Sequence, residues 1–254
     1  MSDYNRGFPR AVPAGAADMA VDAGLRAFML GVYNKLALGL VWSAAMAFLT
    51  SSVAPVRDLM FRVVETPDGY ARLAGLTPLG MIIGFAPLAV LLFGSFALRN
   101  PSPRSSGVVY WTIVTLIGLS LGMWVLLYTG TSIALTFATT AAAFGGLSLW
   151  GYVTKKDLTG FGSFLLMGLI GIIIASLVNL FLHSGALQFI VTILGVFIFS
   201  GLIAYDTQRL KMTYYALGGD RNAMGVATNY GALTLYINFI NLFQLLLQLM
   251  GSRR

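Results

Sequence analysis

The amino-acid sequence predicts an all-α polytopic membrane protein with seven transmembrane helices, the last of which carries a polar stripe. Hydrophobic residues make up 57% of the 254 residues and charged residues only 10%, against about 25% charged residues in soluble globular domains. This composition leaves too few polar side chains to cover a water-facing surface. The apolar residues also fall into long runs without charge, and a helix needs about 20 such residues to cross a bilayer.

Seven apolar runs follow one another along the chain and are predicted as the transmembrane helices. The first contains Lys35, whose aliphatic stem allows the ammonium group to reach the membrane interface. The fourth is rich in Thr, Ala and Gly, which is typical of a helix packed among other helices, and Gly118 and Gly122 form a GxxxG pair in the third. The predicted spans are residues 32–53, 79–98, 108–128, 131–152, 161–182, 185–205 and 232–250.

The seventh run differs from the others because it contains four amide side chains. At 100° between successive residues of a helix, these amides fall within an arc of about 120°. An unpaired amide in hydrocarbon is costly, so this polar stripe is expected to face protein or a water-filled cavity. Two interpretations stay open: hydrogen bonds to neighbouring helices, or the lining of a pore. The stripe consists of Asn238, Asn241, Gln244 and Gln248.

The distribution of basic residues predicts the orientation of the chain in the membrane. Eleven of the sixteen Lys and Arg residues lie in residues 1–35 or in the connections after the second, fourth and sixth runs. By the positive-inside rule these segments and the N-terminus are cytoplasmic. Seven spans then put the C-terminus on the opposite side, unless the last run re-enters and returns Arg253 and Arg254 to the cytoplasm. Because the basic residues flank membrane spans, no nucleic-acid partner is expected.

The residues outside the spans are not expected to form a second domain. Residues 1–31 are rich in Ala, Gly and Pro and show no cleavable signal peptide, so they are predicted to be a disordered cytoplasmic leader. Residues 32–251 form the predicted transmembrane domain, and residues 252–254 form a short basic tail. The longest connection covers residues 54–78, which is too short for a further domain.

Asp206 is the only one of the nine acidic residues that adjoins an otherwise uninterrupted span. An acidic residue at membrane depth indicates a functional site by default. Arg209 follows three residues later on the same helical face, so an interfacial ion pair is the alternative interpretation.

Enzymatic chemistry finds little support in the sequence. The chain has no cysteine and one histidine, His183, which lies in a short hairpin, so thiol catalysis and the usual Cys/His zinc sites are excluded. Neither a GxxxxGK[ST] phosphate loop nor an HExxH motif occurs. We therefore expect neither enzymatic activity nor a cofactor.

Two stretches carry a family resemblance: GLIAYDTQRLK at residues 201–211 and GALTLYINFINLFQLLLQLMG at residues 231–251. With the seven spans and the polar last helix, they resemble the transmembrane Bax-inhibitor-motif family, especially its bacterial members. The resemblance implies a bundle in which six helices surround a central seventh.

The resemblance also implies a site between the last two helices. In the family a pair of aspartates, one on each helix, shares a proton near the cytoplasmic mouth. The first maps onto Asp206, but Asn238 occupies the second position, within LYINFINLF where the family often has LYxDFINLF. Two adjacent carboxylates titrate as a coupled pair, whereas a carboxylate beside an amide does not. The family's basic latch from the second helix has its nearest counterpart in Arg99, with Arg104 as second choice; Arg209 is another candidate partner.

Two functions follow from this resemblance as expectations. The first is a pH-sensitive leak channel for calcium ions or protons, gated near Asp206. One carboxylate with amide and carbonyl oxygens would hold Ca²⁺ weakly, since Ca²⁺ takes about six to eight oxygen ligands. The alternative is an interaction protein that modulates a membrane-bound AAA protease or other membrane-protein quality control through its leader. Either function places the chain in the lipid bilayer of the bacterial inner membrane.

Overall fold

The structure, a computed structural model, describes residues 14–65, 71–97 and 100–253. Six helices, α1 and α4 to α8, are long and apolar enough to cross a membrane, and α3 contains a shorter apolar stretch, Pro78–Gly94. The described chain is thus a predominantly helical bundle, with six candidate spans where the sequence predicts seven. Its elements are α1 Ala14–Ser52, α2 Ala54–Met60, β1 Phe61–Glu65, β2 Ala71–Leu76, α3 Pro78–Ala97, α4 Pro103–Leu127, α5 Gly130–Val153, α6 Thr159–Leu182, α7 Gly185–Ala216 and α8 Arg221–Met250.

The last helix, α8, is the most deeply buried of these candidate spans. Half of the residues in its most apolar stretch are buried, against 6% in α6. It packs against α1, α4, α5 and α7, whereas α6 packs on α7 and α3 packs on α4. Leu235, Tyr236 and Leu247 of α8 are fully enclosed. The last helix is therefore central, but four helices rather than six provide its main contacts in the described part of the chain.

Small residues allow α4 to lie directly against α1. A Cβ atom at Gly118 would overlap the backbone of Ser43, and one at Gly122 would overlap the hydroxyl of Thr50. The Thr50 hydroxyl donates a hydrogen bond of 3.0 Å to the carbonyl of Leu119 across the same contact. The GxxxG pair of the sequence is thus a site of close helix packing.

The connection after α1 contains structure that the sequence analysis did not predict. The strands β1 and β2 pair antiparallel, with Phe61 opposite Leu76. Phe61 and Met60 are buried against Leu126 near the end of α4. The all-α prediction missed this hairpin because its stabilising contacts are with a helix some 60 residues away in the chain, and local hydropathy does not report them.

α1 begins at Ala14, well before the predicted boundary of the leader at residue 31. Leu25, Phe28 and Met29 belong to the apolar core of the bundle. With Val32 they recur every three or four residues, so they form one buried face of a continuous helix. The prediction of a disordered leader therefore needs correction for residues 14–31. Residues 1–13 lie outside the described residues.

The last helix runs alongside α4 over its whole length. Near the start of α8, the Asn229 amide donates to the Pro103 carbonyl at 2.8 Å. Just beyond its end, the Thr129 backbone amide donates to the Ser252 carbonyl at 3.1 Å. Because Pro103 and Thr129 lie at opposite ends of α4, α8 extends from one end of the bundle to the other. The tail is bound at that far end as far as residue 253; Arg254 lies outside the described residues.

Candidate functional site

Asp206 lies within α7 rather than at its end. The sequence placed the end of this span at Tyr205, yet the helix continues without a break to Ala216. A Cβ atom at Gly151 would overlap the Ala204 carbonyl, so the backbone of α5 lies directly against α7 beside the acid. The Asp206 side chain is only 8% exposed. Its carboxylate is therefore enclosed by neighbouring helices.

Asp206, Thr207 and Gln208 are three consecutive buried polar residues of α7. Successive residues of a helix point about 100° apart, so each of them faces a different neighbour. Asp206 faces α8, and the Thr207 hydroxyl lies 3.4 Å from the Ser148 hydroxyl of α5. This stretch of α7 is thus fixed by polar contacts on several sides.

Gln208 fixes the connection between α5 and α6. Its Oε1 accepts a hydrogen bond of 2.9 Å from the Leu158 backbone amide, and its Nε2 donates one of 2.8 Å to the Lys156 carbonyl. The sequence analysis did not single out Thr207 or Gln208. The available signal was the run of three polar residues directly after an apolar span.

The structure brings together three of the predicted site residues: Asp206, Asn238 and Arg209. The Asn238 amide nitrogen donates a hydrogen bond of 2.8 Å to Asp206 Oδ2, and both side chains are buried. Arg209 Nη1 lies 3.6 Å from Asp206 Oδ1, and the arginine side chain is 56% exposed. The buried amide is therefore the close partner of the carboxylate, and the exposed arginine is the looser one.

A cleft of 110 Å³ separates α7 from α8 beside the acid. Asp206 and Arg209 line it on one side, and Tyr230 and Thr234 line it on the other. The cleft lies toward the end of the bundle that carries the α7–α8 connection. The enclosed carboxylate therefore borders a small cleft.

The other three amides of the polar stripe have different environments. Asn241 donates to the Ile237 carbonyl of its own helix at 2.9 Å, and Gln248 accepts from Gln188 of α7 at 3.0 Å. Among the described residues, Gln244 forms no hydrogen bond to a protein group. Asn241 and Gln244 both line two cavities, one of 320 Å³ toward α3 and α4 and one of 350 Å³ toward α6 and α7. The stripe thus combines helix-to-helix bonding with the lining of cavities.

Lys35 contacts other helices close to the end of the bundle where α4 begins. Its ammonium donates to Asn229 Oδ1 of α8 and lies 5.2 Å from the centre of the Tyr110 ring. The amide nitrogen of Asn229 in turn donates to the Ser106 hydroxyl at 2.8 Å. The sequence analysis missed Asn229 because it precedes the predicted start of the last span at residue 232.

Of the two arginines considered as latch on or after the second run, only Arg104 can be placed, and it does not join the cluster. Arg99 lies outside the described residues, and Arg104 is exposed on the first turn of α4. His183 caps the far end of α6 in a left-handed conformation with φ of 48°. No three His, Cys, Asp or Glu side chains in the described segments lie close enough to hold a metal ion. Asp206 is therefore the single carboxylate of the site.

Comparisons with known proteins place the chain among bacterial membrane proteins. Residues 25–254 match the family described as inhibitor of apoptosis-promoting Bax1. The chain is 66% identical to an uncharacterized protein of Caulobacter vibrioides over 254 residues, which is 100% of both chains. It is 44% identical to the uncharacterized protein RP147 of Rickettsia prowazekii over 92% of each chain. It is 41% identical to the inner membrane protein YbhL of Escherichia coli K12, over 91% of this chain and 94% of the relative.

Proposed function

The chain belongs to the Bax inhibitor family, and on this premise we propose that it conducts a cation across the bacterial inner membrane through a path gated by Asp206 and Asn238. The relative YbhL is named as an inner membrane protein, and the six candidate spans support the same location for this chain. The proposed permeant ion is a calcium ion or a proton.

The observation that carries this proposal is the buried hydrogen bond between Asn238 and Asp206. Cavities lie on both sides of this contact. The cleft of 110 Å³ lies against Asp206. Farther along α8, Asn241 and Gln244 line the cavities of 320 and 350 Å³. Asn238 and Gln244 are about 9 Å apart along the helix axis, so the closed segment covers less than two helical turns.

The Gln244 amide adds support for a hydrated path. A polar group at membrane depth without a protein partner is costly unless water reaches it. Gln244 lines two cavities and forms no hydrogen bond to a protein group in the described part of the chain. Water in these cavities would satisfy the amide and extend the path from Asn238 toward the end of α8.

The chemistry of the gate fits passage better than storage of an ion. Ca²⁺ takes about six to eight oxygen ligands and binds tightly where several are carboxylates. Here one carboxylate is available, with amide and carbonyl oxygens nearby. A calcium ion would therefore bind weakly and leave readily, and a proton would need only the carboxylate itself.

In the proposed orientation, the N-terminus is cytoplasmic. The helix α3 also crosses the membrane, second in chain order, which brings the six candidate spans to seven. The connections that contain Arg104, Lys155 and Lys156, and Arg209 to Arg221, are then cytoplasmic by the positive-inside rule. The cleft beside Asp206 faces the cytoplasm, and Gln248 lies near the opposite side. This orientation agrees with the path of α8 along α4, which separates the two ends of the last helix.

Ion flux into vesicles that contain the purified full chain tests the proposal. Calcium and proton entry are followed with trapped indicator dyes at a series of pH values. We expect flux above that of empty vesicles, a pH dependence in the wild type, and loss of that dependence in Asp206→Asn. Asp157→Asn is the matched control, because Asp157 is an exposed acid outside the site. If the curves of flux against pH coincide for the wild type and Asp206→Asn, then Asp206 does not gate the path.

The second candidate function is modulation of a membrane-bound AAA protease. The observation that favours it is the exposed basic residues Arg104, Lys155 and Lys156 at one end of the bundle, which leave a surface for a soluble protein domain. Wild-type flux no greater than that of empty vesicles, together with changed turnover of membrane-protein substrates in cells that overproduce the chain, would support this function over conduction.

A further inference from the structure

A lateral groove runs between α1 and α5. Both helices pack against α8, but they make few contacts with one another in the described residues. The groove contains a cavity of 490 Å³ whose walls include Met29 and Tyr33 of α1 and Phe144, Gly145 and Tyr152 of α5. Because both helices are candidate spans, this groove opens sideways into the lipid.

The interior of the groove is apolar and its edges are exposed. Met29 and Phe144 are buried in the floor, while Leu30 and Leu149 at the edges are 51% and 63% exposed. The Ser148 hydroxyl in the wall accepts a hydrogen bond of 3.4 Å from the Thr207 hydroxyl, so it is already paired within the protein. At membrane depth the surrounding solvent is hydrocarbon, so an acyl chain is the material that fills such a concave surface.

A second apolar cavity continues along the same two helices. It has a volume of 210 Å³ and is lined by Leu40 and Ala47 of α1 and by Ile133 and Phe137 of α5. Along α1, its lining begins seven residues beyond Tyr33, about 10 Å farther into the membrane. The two cavities therefore follow one another along the same two helices.

Two basic residues lie at one end of the groove: one lines the cavity, and the other contacts the lining residue Tyr152. Arg26 lines the cavity at its α1 side. The Lys211 ammonium lies 5.4 Å from the centre of the Tyr152 ring and donates to the Tyr152 carbonyl at 3.3 Å. Among the described residues, neither cation forms an ion pair with an acidic side chain. The nearby Asp157 instead accepts hydrogen bonds from the hydroxyl and backbone amide of Thr159.

We propose that the α1–α5 groove binds one anionic phospholipid, with its phosphate between Arg26 and Lys211 and an acyl chain in the cavity. The apolar interior selects the chain, and the two cations select a negative headgroup over a neutral one. These two cations lie at the end of the bundle that the positive-inside rule assigns to the cytoplasm, so the lipid comes from the inner leaflet. This binding site does not depend on ion conduction.

Native mass spectrometry of the full chain, released from vesicles with equal amounts of phosphatidylglycerol and phosphatidylcholine, tests the site. We expect the wild type to retain one phosphatidylglycerol in preference to phosphatidylcholine. Gly145→Leu should lose this lipid, because a side chain added there meets no protein atom and occupies the cavity. Gly146→Leu is the matched control: it also has open space, but it does not line the groove.

Charge variants test this end of the groove separately from the interior. Arg26→Ala should weaken phosphatidylglycerol retention about fivefold, since one basic group near an anionic membrane surface contributes about 1 kcal/mol. Arg104→Ala, an exposed cation outside the groove, should leave retention unchanged. Equal retention of the two lipids by the wild type, or unchanged retention in Gly145→Leu, would overturn the proposal.

Discussion

Asn238 Nδ2 donates a hydrogen bond of 2.8 Å to Asp206 Oδ2 between the buried faces of α7 and α8. An amide nitrogen is a donor only, so it satisfies the carboxylate but provides no second acid with which to share a proton. The other carboxylate oxygen faces the Arg209 guanidinium at 3.6 Å. The two oxygens of Asp206 thus have separate partners, one buried and one exposed.

Replacing Asn238 by aspartate should move the pH response of ion flux. In Asn238→Asp, two carboxylates lie within hydrogen-bonding distance, and their repulsion makes the pair retain one proton to higher pH. We expect the midpoint of the flux response in reconstituted vesicles to shift toward neutral pH. A second carboxylate should also strengthen calcium binding, measured as calcium-dependent block of proton flux.

The neighbouring amide provides the control for this variant. Asn241→Asp adds the same charge one helical turn farther along α8, at a residue that bonds its own helix rather than Asp206. Its flux midpoint should stay close to that of the wild type. Equal shifts in the two variants would mean that added negative charge, rather than the contact with Asp206, sets the response.

The two partners of Asp206 should contribute unequally to stability. Arg209→Gln removes an exposed charge at 3.6 Å, and such pairs contribute about 0 to 1 kcal/mol. Asn238→Leu leaves a buried carboxylate oxygen without its donor, which costs about 1 to 3 kcal/mol or more. Thermal unfolding in one detergent should therefore show a clearly lower Tm for Asn238→Leu than for Arg209→Gln. The reverse order would make Arg209 the principal partner.

The helical runs and the pairing of Asp206 with Asn238 could be predicted from the sequence. Hydropathy is a local property, so the predicted span 161–182 differs from α6, Thr159–Leu182, by two residues at one end. The composition of residues 14–31, rich in small residues, does not predict the start of α1. The spacing of the apolar residues does, because Leu25, Phe28 and Met29 form one helical face. The position of the acidic site came from a family resemblance in two stretches.

Contacts between polar residues far apart in the chain could not be predicted in the same way. Lys35 and Asn229 are separated by 194 positions, and Gln208 and Lys156 by 52. Which helical faces meet depends on the packing of the whole bundle, and no single run of residues contains that information. The cavities beside Gln244 have the same origin, since residues of different helices form their walls.

Gln208 should protect the α5–α6 connection from proteolysis. Its side chain forms hydrogen bonds with the backbone of Lys156 and Leu158. Lys156 belongs to the exposed basic pair Lys155 and Lys156, and Leu158 lies two residues beyond it. Gln208→Leu removes both bonds and should speed tryptic cleavage at this pair in membranes with the cytoplasmic face exposed. Gln188→Leu, which removes the hydrogen bond from Gln188 to Gln248 at the other end of α7, should leave the cleavage rate unchanged. Equal rates in wild type and Gln208→Leu would mean that other contacts hold the connection.

The last prediction concerns the two ends of α8 and the side of the membrane on which each lies. The chain has no cysteine, so a single introduced thiol is the only site for a maleimide reagent. Lys155→Cys should react from the cytoplasmic side only, because it lies in a predicted cytoplasmic connection and is exposed.

Ser252→Cys should react from the opposite side. The Ser252 carbonyl accepts from the Thr129 backbone amide, and its own amide donates to the Ser132 hydroxyl, so the tail is held at the far end of α4. A re-entrant last helix would bring both thiols to the same side, which is incompatible with these bonds. A membrane-impermeant reagent, applied to intact cells and to inverted vesicles, distinguishes the two arrangements. Labelling of residue 252 from the cytoplasmic side alone would contradict the crossing of α8 and the position proposed for the outer end of the ion path.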